Sequence, residues 1–277
     1  MKHHLMIAGT GRAGTSFLVQ YFHLCGVDTV IRKDGMARWS SQANAGLETY
    51  IADRADMPYV IKSGWFQEFV ASILKEPGVT LDAVLIPMRD LVEAASSRVI
   101  NDQLARLVDP SVPDECTTWE RWGTTPGGIV YSLNPIDQAR ILALSFHTAI
   151  HALVQHGVPM VFLDFPRFVN DPDYLYESVR PYLPPDCTAE RARAAHQQLA
   201  DAQKVRTGRE LGRDPAAVTE QSTRVSAPPI QYPTVEALNE IARRRSAALR
   251  PAAPSLGGRL AGALRRVRSR VLEKEQG

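Results

Sequence analysis

Glycines, hydroxyls and a single arginine are concentrated in the stretch IAGTGRAGTS, near the amino terminus. A phosphate-binding loop of the form GxxxxGK[ST] places two glycines, a lysine and a hydroxyl at fixed spacing. Gly9, Gly14 and Ser16 fit that spacing, but Thr15 occupies the lysine position and Arg12 is the only cation of the loop. Successive backbone amides and the start of a following helix would form a nest for an anion. The stretch therefore predicts an anion-binding loop whose cation lies before the second glycine.

Two other interpretations of this loop are open. Its glycines could serve a tight strand-to-helix turn and bind nothing. A nucleoside triphosphate site would need a lysine for the β- and γ-phosphates and an aspartate for magnesium after a strand. Asp164, in VFLDF, is the candidate aspartate, but the lysine is missing. A nucleotide kinase or other NTPase is therefore the weaker of the enzyme interpretations.

Four short apolar runs alternate with stretches of helical spacing. The predicted strands are Leu5–Ala8, Tyr59–Ile61, Ala83–Pro87 and Pro159–Leu163, and the predicted helices span residues 15–25, 65–75, 91–107 and 136–155. Such alternation is typical of a parallel sheet with helices on both faces. Right-handed crossovers place the loops after the strands at one edge, where ligands bind. We predict a three-layer α/β fold like that of P-loop NTPases, with a central parallel sheet flanked by helices.

The chain of 277 residues suits one large domain, to which we assign residues 1–250. Residues 108–135 contain prolines, glycines and tryptophans without periodicity, which predicts a functional loop or lid. Residues 205–235 are polar and are expected to be partly mobile. Residues 251–277 form a basic tail, predicted to be either disordered or an amphipathic helix that contacts an anionic membrane surface.

Composition excludes several classes of protein. The net charge of +2 gives no electrostatic argument for nucleic acid binding. No apolar stretch reaches the roughly 18 to 20 residues of a spanning helix, and the amino terminus does not resemble a signal peptide. The three cysteines, Cys25, Cys116 and Cys187, form no metal or disulfide pattern and suit a reducing compartment. The sequence predicts a cytoplasmic protein.

Four segments, in this order along the chain, resemble the sulfotransferases that use 3′-phosphoadenosine 5′-phosphosulfate (PAPS). The first is GTGRAGTSF, which is similar to the family's loop for the 5′-phosphosulfate: a cation two residues before glycine, then two hydroxyls and an aromatic residue. The resemblance implies that PAPS is bound by this loop, through Gly11, Arg12, Ala13, Gly14, Thr15, Ser16 and Phe17. It also implies that Phe17 stacks on adenine, whereas the helical spacing alone places that ring in the core.

The second and third segments follow later strands. In MRDLVEAASSR, Arg89 and Ser97 have the spacing of the family's 3′-phosphate site. A guanidinium fork and a hydroxyl can both reach one phosphate dianion. In YVIKSGW, Lys62 matches the family's lysine for the transferred group, but Gly64 stands where many members have a catalytic histidine. The fourth segment, LDFPRFVNDPDYLYESVRPYL, resembles the part that closes the fold, and RTGRELG faintly resembles the family's basic C-terminal segment.

The resemblance implies an activity: transfer of a sulfuryl group from PAPS to a hydroxyl of a carbohydrate, glycolipid or small metabolite, with no metal required. Arg12 and Lys62 would stabilise the charge that grows on the leaving phosphate oxygen. A catalytically inactive nucleotide-binding protein is the alternative from another class, and Gly64 is the feature that favours it.

An attacking hydroxyl needs a general base, and without the histidine a carboxylate is expected. Glu48, in ANAGLETY, is our first choice because its small neighbours let the backbone approach a ligand, and Asp34 is the second. His147 and His151 have the spacing of two metal ligands on a helix. They lack a third ligand in the pattern, so we expect solvated or hydrogen-bonded histidines.

Overall fold

The computed structural model describes residues 2–9, 11–31, 39–40, 45–49, 57–64, 66–108, 133–212 and 231–249. Its strands are β1 (Lys2–Ile7), β2 (Trp39–Ser40), β3 (Ala45–Gly46), β4 (Val60–Lys62), β5 (Val79–Met88) and β6 (Met160–Asp164). Four of them form a parallel sheet in the order β4–β1–β5–β6. The other two, β2 and β3, pair as a short antiparallel ribbon.

The helices are α1 (Thr15–Leu24), α2 (Phe66–Leu74), α3 (Leu91–Val108), α4 (Pro135–Gln155), α5 (Arg167–Asn170), α6 (Pro172–Val179), α7 (Ala189–Leu199), α8 (Thr207–Glu210) and α9 (Val235–Leu249). Local sequence explains where several of them begin. Asn134 caps α4 by accepting from the amide of Ile136, and Asp171 caps α6 by accepting from the amide of Tyr174. Each cap is followed by proline, whose missing amide hydrogen is not needed in a first turn.

The sheet is covered by helices on both faces, as the apolar strands require. Because side chains alternate along a strand, Leu5 and Ile7 of β1 pack in a cluster with α1, α5, α6 and α7. Met6 and Ala8 point the opposite way, into a second cluster with α2 and α4. All four are almost completely buried. The predicted α/β architecture, with a parallel sheet flanked by helices, is confirmed in that form.

The strand order places β1 at a point where the chain changes direction within the sheet. From β1 the chain runs to β4 on one side, and then back to β5 on the other side. Loops that follow such neighbouring strands diverge at the carboxyl edge and leave a crevice, which is where ligands of open α/β sheets bind. The glycine loop follows β1 and Arg89 follows β5, so both predicted phosphate sites lie at this crevice.

All four predicted parallel strands are present, with β1 and β5 longer than predicted because their amino-terminal ends carry polar residues. Within the segment predicted to be polar and partly mobile, α8 is folded and Thr207 is buried. The remaining predictions for residues 109–132, 213–230 and 250–277 fall outside the described residues, and so does Cys116. Of the described helices, none has the length and apolar character needed to cross a membrane.

Candidate anion-binding site

The loop after β1 turns through Gly11, Arg12 and Gly14, whose φ angles are 64°, 60° and 74°. A Cβ on Gly14 would lie 2.7 Å from Cζ of Phe168, so packing as well as backbone angle requires glycine there. Gly14 precedes α1 and offers no capping side chain, and the first turn of α1 contains no acidic residue. The partial positive charge of this helix end therefore favours an anion. Ala13 lies fully buried in the core beneath the loop.

Glu48 lies against the end of β4, where the chain leaving β3 runs beside it. The amide of Thr49 donates to the carbonyl of Lys62 at 2.8 Å, which holds this segment in place. The two carboxylate oxygens of Glu48 then have different partners. Oε1 lies 2.5 Å from Nζ of Lys62, and Oε2 accepts from the amide of Gly64 at 2.9 Å. Glu48 thus binds the backbone of Gly64, the residue that stands where the resemblance would lead one to expect a histidine.

Lys62 is 3% exposed and is surrounded by acceptors. Besides Glu48, its ammonium donates to the carbonyl of Gly46 at 2.6 Å and to Oγ of Ser16 at 3.3 Å. Burial lowers the pKa of Lys62 and the charge of Arg12 lowers it further, while Glu48 opposes both effects. These contacts join the glycine loop, β3 and β4 around one buried cation.

Arg89 and Ser97 are brought together through Arg12. Nη1 of Arg89 donates to the carbonyl of Arg12 at 2.6 Å, and Nε of Arg12 donates to Oγ of Ser97 at 3.3 Å. Glu93 accepts from Nε and Nη2 of Arg89, at 3.3 and 3.1 Å, and so fixes the plane of the guanidinium. The guanidinium of Arg89 also lies over the ring of Phe165, with Cζ 5.1 Å from the ring centroid. The predicted pair thus lies on either side of Arg12.

A cavity of about 320 Å³ opens between the glycine loop, α3, the segment after α7, and α9. This volume is within the range of small-molecule sites. Its lining includes the predicted Gly11, Gly14, Thr15, Ser16, Phe17 and Ser97. Its lining cations are Arg12, Lys62, Arg89, Lys204, Arg206 and Arg245, whereas Asp201 is the one carboxylate in this lining. Such a charge distribution favours a polyanionic ligand.

Three of these cations, Lys204, Arg206 and Arg245, were absent from the predicted site. Arg206 belongs to RTGRELG, where resemblance offered only a faint signal. Arg245 had a clearer one, because it lies in the buried stripe of α9 formed with Leu238, Ile241, Ala242 and Ser246. A guanidinium inside an apolar helical stripe indicates a buried partner or a ligand.

Burial and the charges of neighbouring arginines both lower the pKa of arginines that line the cavity. Burial, followed by the charges of Arg89, Arg245, Arg206 and Arg98, lowers the pKa of Arg12 to about 9. The pKa of Arg206 is lowered by burial and by Arg245. A bound anion would favour the charged form of these arginines.

Phe17 has both of the environments that the sequence left open. Its ring lies 6.0 Å from that of Phe168 and 5.5 Å from that of His196, measured between centroids, and it is half-buried against the core. It also lines the cavity. The ring of Phe17 can therefore pack against the core and still offer a surface to a nucleotide base.

The remaining candidates lie elsewhere. His147 and His151 stack on the outer surface of α4, with ring centroids 5.9 Å apart. Asp164 is exposed at the end of β6, and Asp34 lies outside the described residues. Among the described segments, no cluster of three or more His, Cys, Asp or Glu residues is arranged to hold a metal ion.

Comparison with known proteins gave no relative from which a function could be transferred. No family model matches the sequence, and neither the curated proteins nor the solved structures gave a significant match. The residues of the cavity and their chemistry are therefore the basis for a functional assignment.

Proposed function

We propose that this protein is a sulfotransferase that transfers the sulfuryl group of PAPS to a hydroxyl of a carbohydrate, glycolipid or small metabolite. The observation that carries the proposal is the position of Glu48, whose carboxylate binds both the ammonium of Lys62 and the amide of Gly64. These two residues line the cavity that the glycine loop faces. The proposed base is not part of the cavity lining, but it contacts two residues that are.

We also propose the type of α/β fold to which this sheet belongs. A glycine loop between β1 and α1, at the crevice of a parallel sheet with helices on both faces, supports a three-layer P-loop architecture. The donor proposed here has a phosphosulfate at one end and a 3′-phosphate at the other. The loop with Lys62 suits the first group, and the wall with Arg89 and Ser97 suits the second.

Residues at the site can supply each group that the proposed reaction needs. The acceptor oxygen forms a bond to sulfur while the bond from sulfur to the 5′-phosphate oxygen breaks, and adenosine 3′,5′-bisphosphate leaves. Glu48 takes the proton of the acceptor hydroxyl, as a general base. Lys62 and Arg12 stabilise the negative charge that develops on the leaving oxygen. The side-chain cations balance the charge of the donor, so the proposal requires no metal.

Thermal melting with added ligands tests the proposal first, followed by a transfer assay with sulfur-labelled PAPS and a library of hydroxyl acceptors. We expect adenosine 3′,5′-bisphosphate to raise the melting temperature in the presence of a metal chelator. We also expect label to pass to at least one class of acceptor.

Two results would overturn the proposal. Stabilisation by ATP with magnesium, but not by the bisphosphate, would favour a nucleotide kinase or another NTPase. Tight binding of the bisphosphate without transfer to any acceptor would favour a nucleotide-binding protein that lacks activity.

A further inference from the structure

Arg245 is a buried cation in a helix that the sequence did not connect with the site. Its residue is 7% exposed, and it follows Leu238, Ile241 and Ala242 on the buried face of α9. Those three pack with Val99, Ile100 and Leu104 of α3. Because Ser97 lies at the start of this face of α3, the packing brings α9 to the wall of the cavity that carries Ser97.

Two residues of α8 hold the guanidinium of Arg245. Glu210 of α8 accepts from its Nε at 2.9 Å and also accepts from Nη2. Oγ1 of Thr207 lies 3.5 Å from Nη2. The third nitrogen, Nη1, has no hydrogen-bond partner among the residues that the structure describes. Because Arg245 lines the cavity, this nitrogen is available to a ligand there.

Arg89 is also fixed by a carboxylate, and its Nη1 is bound to the carbonyl of Arg12. There Glu93 accepts from Nε and Nη2 and fixes the guanidinium, and neither Glu93 nor Glu210 lines the cavity. Arg245 is close enough to act on the charges of Arg12 and Arg89. Guanidinium groups that line one cavity are stable together when an anion binds between them.

We propose that Arg245 is a ligand-binding residue, which donates to the same phosphate dianion as Arg89 and Ser97 and so makes α9 part of the site. Glu210 is its positioning residue. Identification of that dianion as the 3′-phosphate of a nucleotide rests on the proposed function. The nucleotide would be bound by segments far apart in sequence, with the 5′ side on the glycine loop and the 3′ side between α3 and α9.

Isothermal titration with two nucleotides tests the assignment. Adenosine 3′,5′-bisphosphate and adenosine 5′-monophosphate differ only in the 3′-phosphate. Arg245→Gln should weaken binding of the bisphosphate by about 10- to 100-fold, the loss expected for a charge-assisted hydrogen bond. It should leave the affinity for the monophosphate nearly unchanged. Arg244→Gln is the matched control, because Arg244 is exposed on the same helix and pairs with the exposed Glu240.

Variants at Glu210 separate a binding defect from a folding defect. Arg245→Gln leaves a carboxylate without its cation, so the double variant Arg245→Gln, Glu210→Gln supplies two amides that can pair. We expect it to melt near the wild-type temperature and to keep the loss of bisphosphate affinity. Glu210→Gln alone keeps the cation and should show a smaller loss, again limited to the bisphosphate.

The outcomes separate this inference from the proposed function. If Arg89→Gln weakens bisphosphate binding and both Arg245 variants do not, Arg245 is not a ligand-binding residue and the proposed function stands. If the wild type binds neither nucleotide but binds inorganic pyrophosphate in an Arg245-dependent way, the role of Arg245 stands and the proposed function is wrong. Absence of binding to all three probes would overturn both.

Discussion

At the scale of single residues, the site depends on where side chains are absent as much as on where they are present. Gly64 has no side chain, and the carboxylate of Glu48 binds its amide instead. Gly14 has no side chain, and the rings of Phe165 and Phe168 pack against it. One absence admits the carboxylate of Glu48 and the other lets the loop approach the core.

Gly14→Ala should destabilise the protein by about 2–5 kcal/mol, from left-handed backbone strain together with overpacking. Gly157→Ala separates the two effects. Its φ of 64° is similar to the 74° of Gly14, but nothing lies within 4 Å of its added Cβ. We expect Gly157→Ala to cost only about 1–2 kcal/mol in urea denaturation. Equal losses would mean that the contact with Phe168 is unimportant.

Glu48→Gln should lower the rate of sulfuryl transfer by about 10²- to 10⁴-fold, because the amide cannot accept the acceptor's proton. Bisphosphate affinity should stay close to wild type, since Gln can still accept from the amide of Gly64. Steady-state transfer rates and titration calorimetry measure the two quantities. Glu240→Gln, at an exposed glutamate, is the control. Full activity of Glu48→Gln would remove Glu48 from the role of base.

At the scale of elements, the packing of α9 on α3 decides whether Arg245 lines the cavity together with Ser97. The buried stripe of α9 has helical spacing, and its apolar members join a cluster with α3. Neither helix contacts the glycine loop through that cluster, yet each contributes a residue to the cavity lining, Ser97 and Arg245.

Leu238→Ala should lower the free energy of unfolding by about 2–5 kcal/mol, because Leu238 is completely buried in this cluster. Leu249→Ala, at the end of the same helix, is the control, since Leu249 is 49% exposed. Its effect should be within about 0.5 kcal/mol. Urea denaturation measures both. Similar small losses for the two variants would show that α9 does not pack on α3 in solution.

At the scale of the whole molecule, the cavity collects positive charge from segments that are distant in sequence. The groups that act on Arg12 come from the end of β5, from α3, from the segment before α8 and from α9, namely Arg89, Arg98, Arg206 and Arg245. The charge of Arg12 also acts on Lys62. The result is a field that no single segment produces.

This field predicts how anion binding depends on pH. An anion raises the pKa of Arg12 from its free value of about 9, so above that value binding takes up a proton and weakens as pH rises. Loss of the Lys62 proton would act in the same direction. We expect adenosine 3′,5′-bisphosphate to bind more weakly at about pH 9.5 than at about pH 7.5.

Titration calorimetry at the two pH values measures this difference, with Arg12→Gln as the control. The variant should bind more weakly at both and show a flatter pH profile. An unchanged profile in the variant would assign the titration to another group.

The order of strands and helices and the place of the glycine loop could be predicted from sequence. Apolar runs and helical spacing are local signals, and a loop between β1 and α1 needs only neighbouring residues to be recognised. The spacing of Arg89 and Ser97 is also local, because one follows a strand and the other lies in the next helix. The preference for Glu48 over Asp34 rests on a weaker signal, the small residues beside it, and the structure places Glu48 beside Lys62.

Tertiary structure alone decided which distant charges meet. The sequence holds no spacing rule that joins Glu48 to Gly64, or Arg245 of α9 to Glu210 of α8. Those contacts follow from packing, since α9 buries its apolar stripe on α3 and carries Arg245 with it. Local patterns therefore determined the loop and the sheet, and the energy of burying apolar surface determined which cations enclose the cavity.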